Sequence, residues 1–266
     1  MLFGIHETVL IAGLLIGLGG GLVFGIFGGG SGLILMPGFY FLMSYFPTAN
    51  NVKMQVAIAT TAAASAALGF FATYIQHKRG HLDRKLIKDI FWGLTLGAVA
   101  AVLLLNIIPS YFLKHLFAIM VLLLAIWMWF YRQEKDKRVW HFGKLGRFLA
   151  TMSIGLFWYL LGIGVFMVPY LHKCGIDIRR AVGCATLYST FLSGLVAMLL
   201  MLSGTIHIGS SAQHIGFLNL PLFLITLLPC VLGGYLGAQM GVRIPQYFLK
   251  KTYAGLMLVV GILMLV

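Results

Sequence analysis

The chain has 266 residues, 61% of them hydrophobic and 9% charged, with a mean hydropathy of +0.98. So much apolar surface cannot be hidden in one water-soluble core, which excludes a soluble globular protein and makes the lipid bilayer a partner of the chain. The net charge of +13 rests on 19 Lys and Arg against 6 Asp and Glu, but the basic residues form short clusters between apolar runs without an aromatic groove, so no nucleic-acid partner is expected.

The chain opens with Glu7 and no nearby Lys or Arg, so a cleavable signal peptide is not expected and the first apolar segment should be retained. Residues 8–46 are apolar but are interrupted by GIFGGGSGLILMPG from Gly25. Apolar runs long enough to cross the hydrocarbon, about 20 residues each, then follow at 54–76, 86–108 and 111–131, and after the polar stretch Tyr131 to Arg147 at 181–203, 214–240 and 246–266. A second interrupted stretch, 147–171, contains Gly162 and Gly164.

Landmarks recur in one order. PSYFLK from Pro109 returns as PQYFLK from Pro245; VAIAT (56–60) matches VGCAT (182–186). The GxxxG pair Gly93/Gly97 matches Gly233/Gly237, and GGGSGLILMP ending at Pro37 matches GIGVFMVP ending at Pro169. Each copy lies 126 to 140 residues after the first, the mark of a duplicated transporter whose site lies between its halves. The domains read as a first transmembrane repeat (1–131), a basic cytoplasmic connector (132–146) and a second repeat (147–266).

Lys and Arg concentrate in cytoplasmic loops, which discriminates between topologies. If 147–171 crosses once, 11 of the basic residues fall inside and 8 outside; if it dips in and returns, the division is 17 against 2. The re-entrant form is therefore expected. Each half then holds a broken or re-entrant helical element plus three transmembrane helices. Three crossings are an odd number, so the halves form inverted repeats in an all-α polytopic membrane protein with both termini outside. Charge does not separate a hairpin from two full crossings for 8–46; the repeat favours the hairpin.

The glycine breaks point to the chemistry. Gly costs about 1 kcal/mol in a helix relative to Ala, so Gly28, Gly29 and Gly30 favour unwinding, and unwound backbone at membrane depth is tolerated only beside protein or a wet cavity. A short helix from Ser31 to about Tyr45 would aim its free N–H groups and positive dipole end at that cavity, which suits an anion. Gly162 and Gly164 offer a reduced second break. Thr60, Thr61 and Ser65, with Thr186, Ser189 and Thr190 in the second half, supply hydroxyl donors, although such hydroxyls also bond their own helix backbone. The GxxxG pairs read as helix packing.

All six acids lie in loops or at span ends. A cation substrate or a carboxylate proton relay is thereby disfavoured, leaving a small anionic substrate bound by dipoles and neutral donors. His77, just past the apolar run 54–76 and at the cytoplasmic edge, is a candidate for a gating or proton role, or an interfacial anchor. The histidines lack ligand spacing and the three cysteines form no CxxC pair, so no metal site, cofactor or disulfide framework is expected. No nucleophile–base pair is visible, which argues against an enzyme. An anion channel and a non-transporting accessory protein remain as alternatives. Trp127, Trp129 and Tyr131 beside Arg132 read as an interfacial aromatic belt.

The order of glycine run, proline, VAIATTAAAS, then IQHKRGHLD, with GIGVFMVP and VGCATLYST in the second half, resembles the sulfite exporter TauE/SafE family of bacterial membrane proteins over nearly the whole chain. The resemblance implies transport of sulfite or a related sulfur-containing or organosulfonate anion across the bacterial inner membrane. GIG replaces the fuller GGG of the family at the second break. A negative interior drives anions outward by about 2.3 kcal/mol per charge per 100 mV, which favours export.

Overall fold

A computed structural model describes residues 7–46, 50–82, 84–130, 143–160, 167–207, 213–241 and 246–265. It is an all-α polytopic membrane protein. The order is α1 (Glu7–Phe27), α2 (Gly32–Leu42), α3 (Lys53–Lys78), α4 (Arg84–Ile107), α5 (Ser110–Phe130), α6 (Lys144–Leu160), α7 (Met167–Lys173) and α8 (Ile178–His207), then a two-residue hairpin, β1 (His214–Ile215) with β2 (Leu218–Asn219), then α9 (Leu220–Gly241) and α10 (Gln246–Leu265). Among the described residues, six helices are long and apolar enough to cross a membrane: α1, α3, α4, α5, α8 and α9.

Glycine spacing decides how the helices meet. Along α1, Gly13, Gly17, Gly21 and Gly25 recur every fourth residue and share one face. That face lies directly on α9: a Cβ on Gly17 would stand 2.9 Å from the Thr226 carbonyl, and those on Gly21 and Gly25 would overlap the Cys230 and Gly234 carbonyls. From the other side, Gly233 and Gly237 abut the Leu18 and Leu22 carbonyls. Backbones this close gain dispersion and packing contacts that larger residues would prevent. The GxxxG pair Gly93/Gly97 does the same against Thr151 and Met152 of α6, and Gly155 answers against Leu94. In both seams residue numbers rise together, so α1 is parallel to α9 and α4 to α6.

The other principal pairs are antiparallel. On α3 and α8, Thr73 and Thr190 hydroxyls bond at 2.9 Å, while His81, just past the end of α3, sits against Gly183 near the start of α8. On α5 and α10, Gly261 meets Leu122 and the Lys251 ammonium lies over the Trp129 ring. Exchanging α1–α5 for α6–α10 converts the α1/α9 contact into the α6/α4 contact and returns α3/α8 and α5/α10 to themselves.

The first interrupted stretch is a hairpin. Gly19 and Gly20 of α1 meet Ile34 and Leu35, and Gly38 meets Ile16, so α2 runs back along α1. The helix persists two residues beyond Gly25, because Gly25 is part of the packing seam, and breaks at Gly28, whose φ of +73° is a left-handed conformation. α1 alone is nevertheless long enough to cross. The fifth apolar run, expected at 214–240, becomes helical only from Leu220, after the β-hairpin.

These contacts place the start of α1, α3, α5 and α9 and the end of α10 on one face. There Met54 N–H donates to Ser110 Oγ at 2.8 Å, Gln55 Nε2 caps the end of α4 through the Ile108 carbonyl at 2.9 Å, and Asn219 N–H donates to Thr60 Oγ1 at 3.1 Å. Lys78, Arg79, Lys88, Lys144, Arg147 and Lys251 stand at helix ends on the opposite face, where Arg147 reaches Asp89 at 3.8 Å.

Candidate functional site

The break between α1 and α2 opens on a cavity of about 30 Å³, room for about two waters. Its wall is drawn from both halves: Gly30, Ser31, Gly32 and Met36 from the break and α2; Ile58, Thr61, Ala62 and Ser65 from α3; Trp158 and Tyr159 from the end of α6; Ser189 and Ser193 from α8. All twelve are buried. No Asp, Glu, Lys, Arg or His is among them.

Each hydroxyl is placed by local structure. Gly30, with φ of +84°, turns the chain so that Ser31 stands just before the first residue of α2. Ser31 and Ser65 share a hydrogen bond of 2.7 Å, and Tyr159 and Ser193 share one of 3.0 Å across the other wall. In both pairs the partners are 34 residues apart, one pair in each half. Thr61 Oγ1 is buried with no hydrogen-bond partner. An unmatched buried hydroxyl is costly, about 1–3 kcal/mol, and this one lies in the cavity wall.

Of the residues expected at the site, Gly30, Ser31, Thr61, Ser65 and Ser189 line this cavity. Gly28 instead packs on α8, where a Cβ would be 2.9 Å from Thr186 Oγ1 and from Val182 Cγ1. Thr60 and Thr186, the matched threonines of VAIAT and VGCAT, make the same bond in each half. Thr60 donates to the Val56 carbonyl and Thr186 to the Val182 carbonyl, both at 2.8 Å. Their protons are thus held by their own helices, the competing role for such hydroxyls, and Thr60 serves as acceptor for Asn219. Gly29, like Thr60 and Thr186, is not in the lining. Gly162 and Gly164 lie outside the described residues. His77 is exposed in the last turn of α3 and does not line the cavity.

Trp158, Tyr159 and Ser193 were not anticipated from the sequence. Tyr159 precedes Gly162 by three residues and Ser193 follows Ser189 by one helical turn, so both were within reach of the same periodicity.

The Ser31 end of α2 adds the positive end of an 11-residue helix to this wall of neutral donors. Such a wall can orient a small anion through hydrogen bonds, with no charged partner among the lining residues.

Comparison with known proteins places the chain. It is 25% identical to a probable membrane transporter protein of Haemophilus influenzae, over 96% of this chain and 97% of the relative. It is 27% identical to a probable membrane transporter protein of Methanocaldococcus jannaschii, over 97% and 94%. No solved structure gives a significant match. A model of the sulfite exporter TauE/SafE family matches residues 13–264, and the chain belongs to that family.

Proposed function

We propose that this membrane transporter is a secondary carrier for a small anion, sulfite or a related sulfur-containing or organosulfonate anion, moving it outward across the bacterial inner membrane. The observation that carries the reading is the cavity: two halves of the chain meet around a buried wall of hydroxyls, with a helix N-terminus aimed at it and no charge on it. Neutral donors and a dipole end suit an anion that must also leave. Burial of every lining residue favours a carrier over a continuously open channel.

The antiparallel pairs α3/α8 and α5/α10, with the matched parallel pairs, support an inverted repeat. In such a repeat, rocking of one half against the other would expose the cavity to each face in turn. By the positive-inside rule the face bearing Lys78, Arg79, Lys144 and Arg147 is cytoplasmic, and the start of α1 and the end of α10 are periplasmic. The membrane potential then drives an anion outward without a coupled ion.

The test is flux of labelled sulfite, thiosulfate, sulfate, sulfoacetate and a carboxylate in proteoliposomes, with Ser65→Leu, in the cavity wall, as the blocked form. Saturable flux that responds to voltage and is lost in the variant supports the carrier. Unsaturable flux moves the reading to a channel, and no flux from folded protein moves it to an accessory role.

A further inference from the structure

We propose that the cavity selects its anion by charge state, accepting the singly charged form of an oxyanion and excluding dianions of the same size. The inference rests on the reading of this cavity as the anion site and adds what that site discriminates. The work of taking an ion out of water grows with the square of its charge, so a dianion costs about four times what a monoanion of equal radius costs. Against that cost the lining residues set no cation.

What they do set is a short list of neutral groups, the Ser189 hydroxyl and the Trp158 indole N–H among them. The end of α2 contributes about half a positive charge. The Ser31–Ser65 and Tyr159–Ser193 pairs each hold two hydroxyl protons and use one between themselves, so each has one left to give. Thr61 has its proton and its lone pairs unengaged, in a side chain only 6% exposed. This free hydroxyl is an independent sign of a ligand, and it answers to the helix end across the same small space. Hydroxyls have a second property that a Lys or Arg lacks: they accept as well as donate. A monoanion that keeps an acidic O–H can give that proton to Thr61 while its other oxygens receive from the two pairs. A monoanion without an O–H receives the Thr61 proton instead, because the hydroxyl can serve either way; a dianion needs more positive charge than half a unit.

The charged groups on the surrounding elements stand toward the helix ends and none is among the lining residues; Asp89, near the start of α4 and paired with Arg147, acts on Tyr188 beside Ser189. α3 carries Lys53 at one end and His77 with Lys78 at the other, α6 carries Lys144 and Arg147 in its first turn, and α8 carries Arg179 and Arg180 in its first turn; α2 carries none. A pH dependence of uptake into the cavity therefore follows the proton on the substrate.

The experiment uses the full chain in proteoliposomes with three probes of similar size: methanesulfonate, a permanent monoanion; sulfate, a dianion throughout the working range; and sulfite, whose second ionisation falls near neutral pH. The proposal expects methanesulfonate to compete for labelled sulfite at least tenfold better than sulfate does. It also expects sulfite flux to rise several-fold as pH is lowered through that ionisation, while methanesulfonate flux stays level. Thr61→Val should weaken methanesulfonate and sulfite together by about tenfold, with Thr61→Ser restoring both. Sulfate competing as well as methanesulfonate, or sulfite flux that climbs with pH, would overturn charge-state selection while leaving an anion carrier standing. Failure of all three probes to bind or move would instead remove the anion site and this proposal with it.

Discussion

Ser31, in the break after α1, and Ser65, the thirteenth of 26 residues in α3, hold their hydroxyls 2.7 Å apart. The bond joins the unwound backbone to the middle of a crossing helix and uses one of two protons. Ser65→Ala should therefore cost modest stability, about 0.5–1.5 kcal/mol, yet weaken anion binding by a larger factor. Thermal unfolding in detergent and a binding isotherm on the same preparation separate the two effects.

Gly28→Ala tests the break itself. The φ of +73° costs a side-chain-bearing residue about 1–2 kcal/mol, and the added methyl meets Thr186 and Val182 at 2.9 Å. A lower unfolding temperature and loss of transport are expected together, because the α1–α2 turn is seated on α8.

The α1/α9 seam should tolerate nothing larger than glycine at its centre. Gly21→Val drives a branched side chain into the Cys230 carbonyl, and overpacking of this kind costs about 1–3 kcal/mol. Gly255 has open space around its Cβ position, so Gly255→Ala should match or exceed the parent in the same melting experiment.

Asn219 is fully buried and its Oδ1 accepts from Leu222 N–H at 3.0 Å, which caps α9. Removing the cap with Asn219→Ala should cost about 0.5–2 kcal/mol. Thr60→Val, which leaves the Asn219 N–H without its acceptor, should cost about 1–3 kcal/mol. Both are read from thermal unfolding.

Burial holds the His214 imidazole below its ordinary value. A depressed folded value means the unfolded chain binds the proton first, so stability is complete above about pH 6.5 and declines as pH falls below it. Between pH 7 and 5 the parent should lose more thermal stability than His214→Gln; equal losses would show that another group controls the acid limb.

The membrane class, the helix break at Gly28 and the packing role of Gly93/Gly97 and Gly233/Gly237 were legible because each rests on composition or on the spacing of residues without side chains. The Gly13–Gly25 seam follows the same four-residue rule, but was masked by the denser glycine run beside it. At the cavity, residue type was legible and engagement was not. Thr60 and Thr61 are adjacent and chemically alike, yet a rotation of about 100° between them leaves one bonded to its own helix and the other facing the cavity. Tyr159 escaped because an aromatic residue in an apolar run gives no sign of which way its hydroxyl points.

The central claim is that the hydroxyl cavity between the halves carries the substrate. Sulfite counterflow in proteoliposomes tests it, with Ser65→Val and Ser189→Val as one variant from each half. Thr95→Val, whose hydroxyl is bonded to the Phe91 carbonyl and lies outside the cavity, is the control. The account predicts that both cavity variants lose saturable counterflow while the control keeps it; counterflow undiminished in folded Ser65→Val and Ser189→Val protein would contradict it.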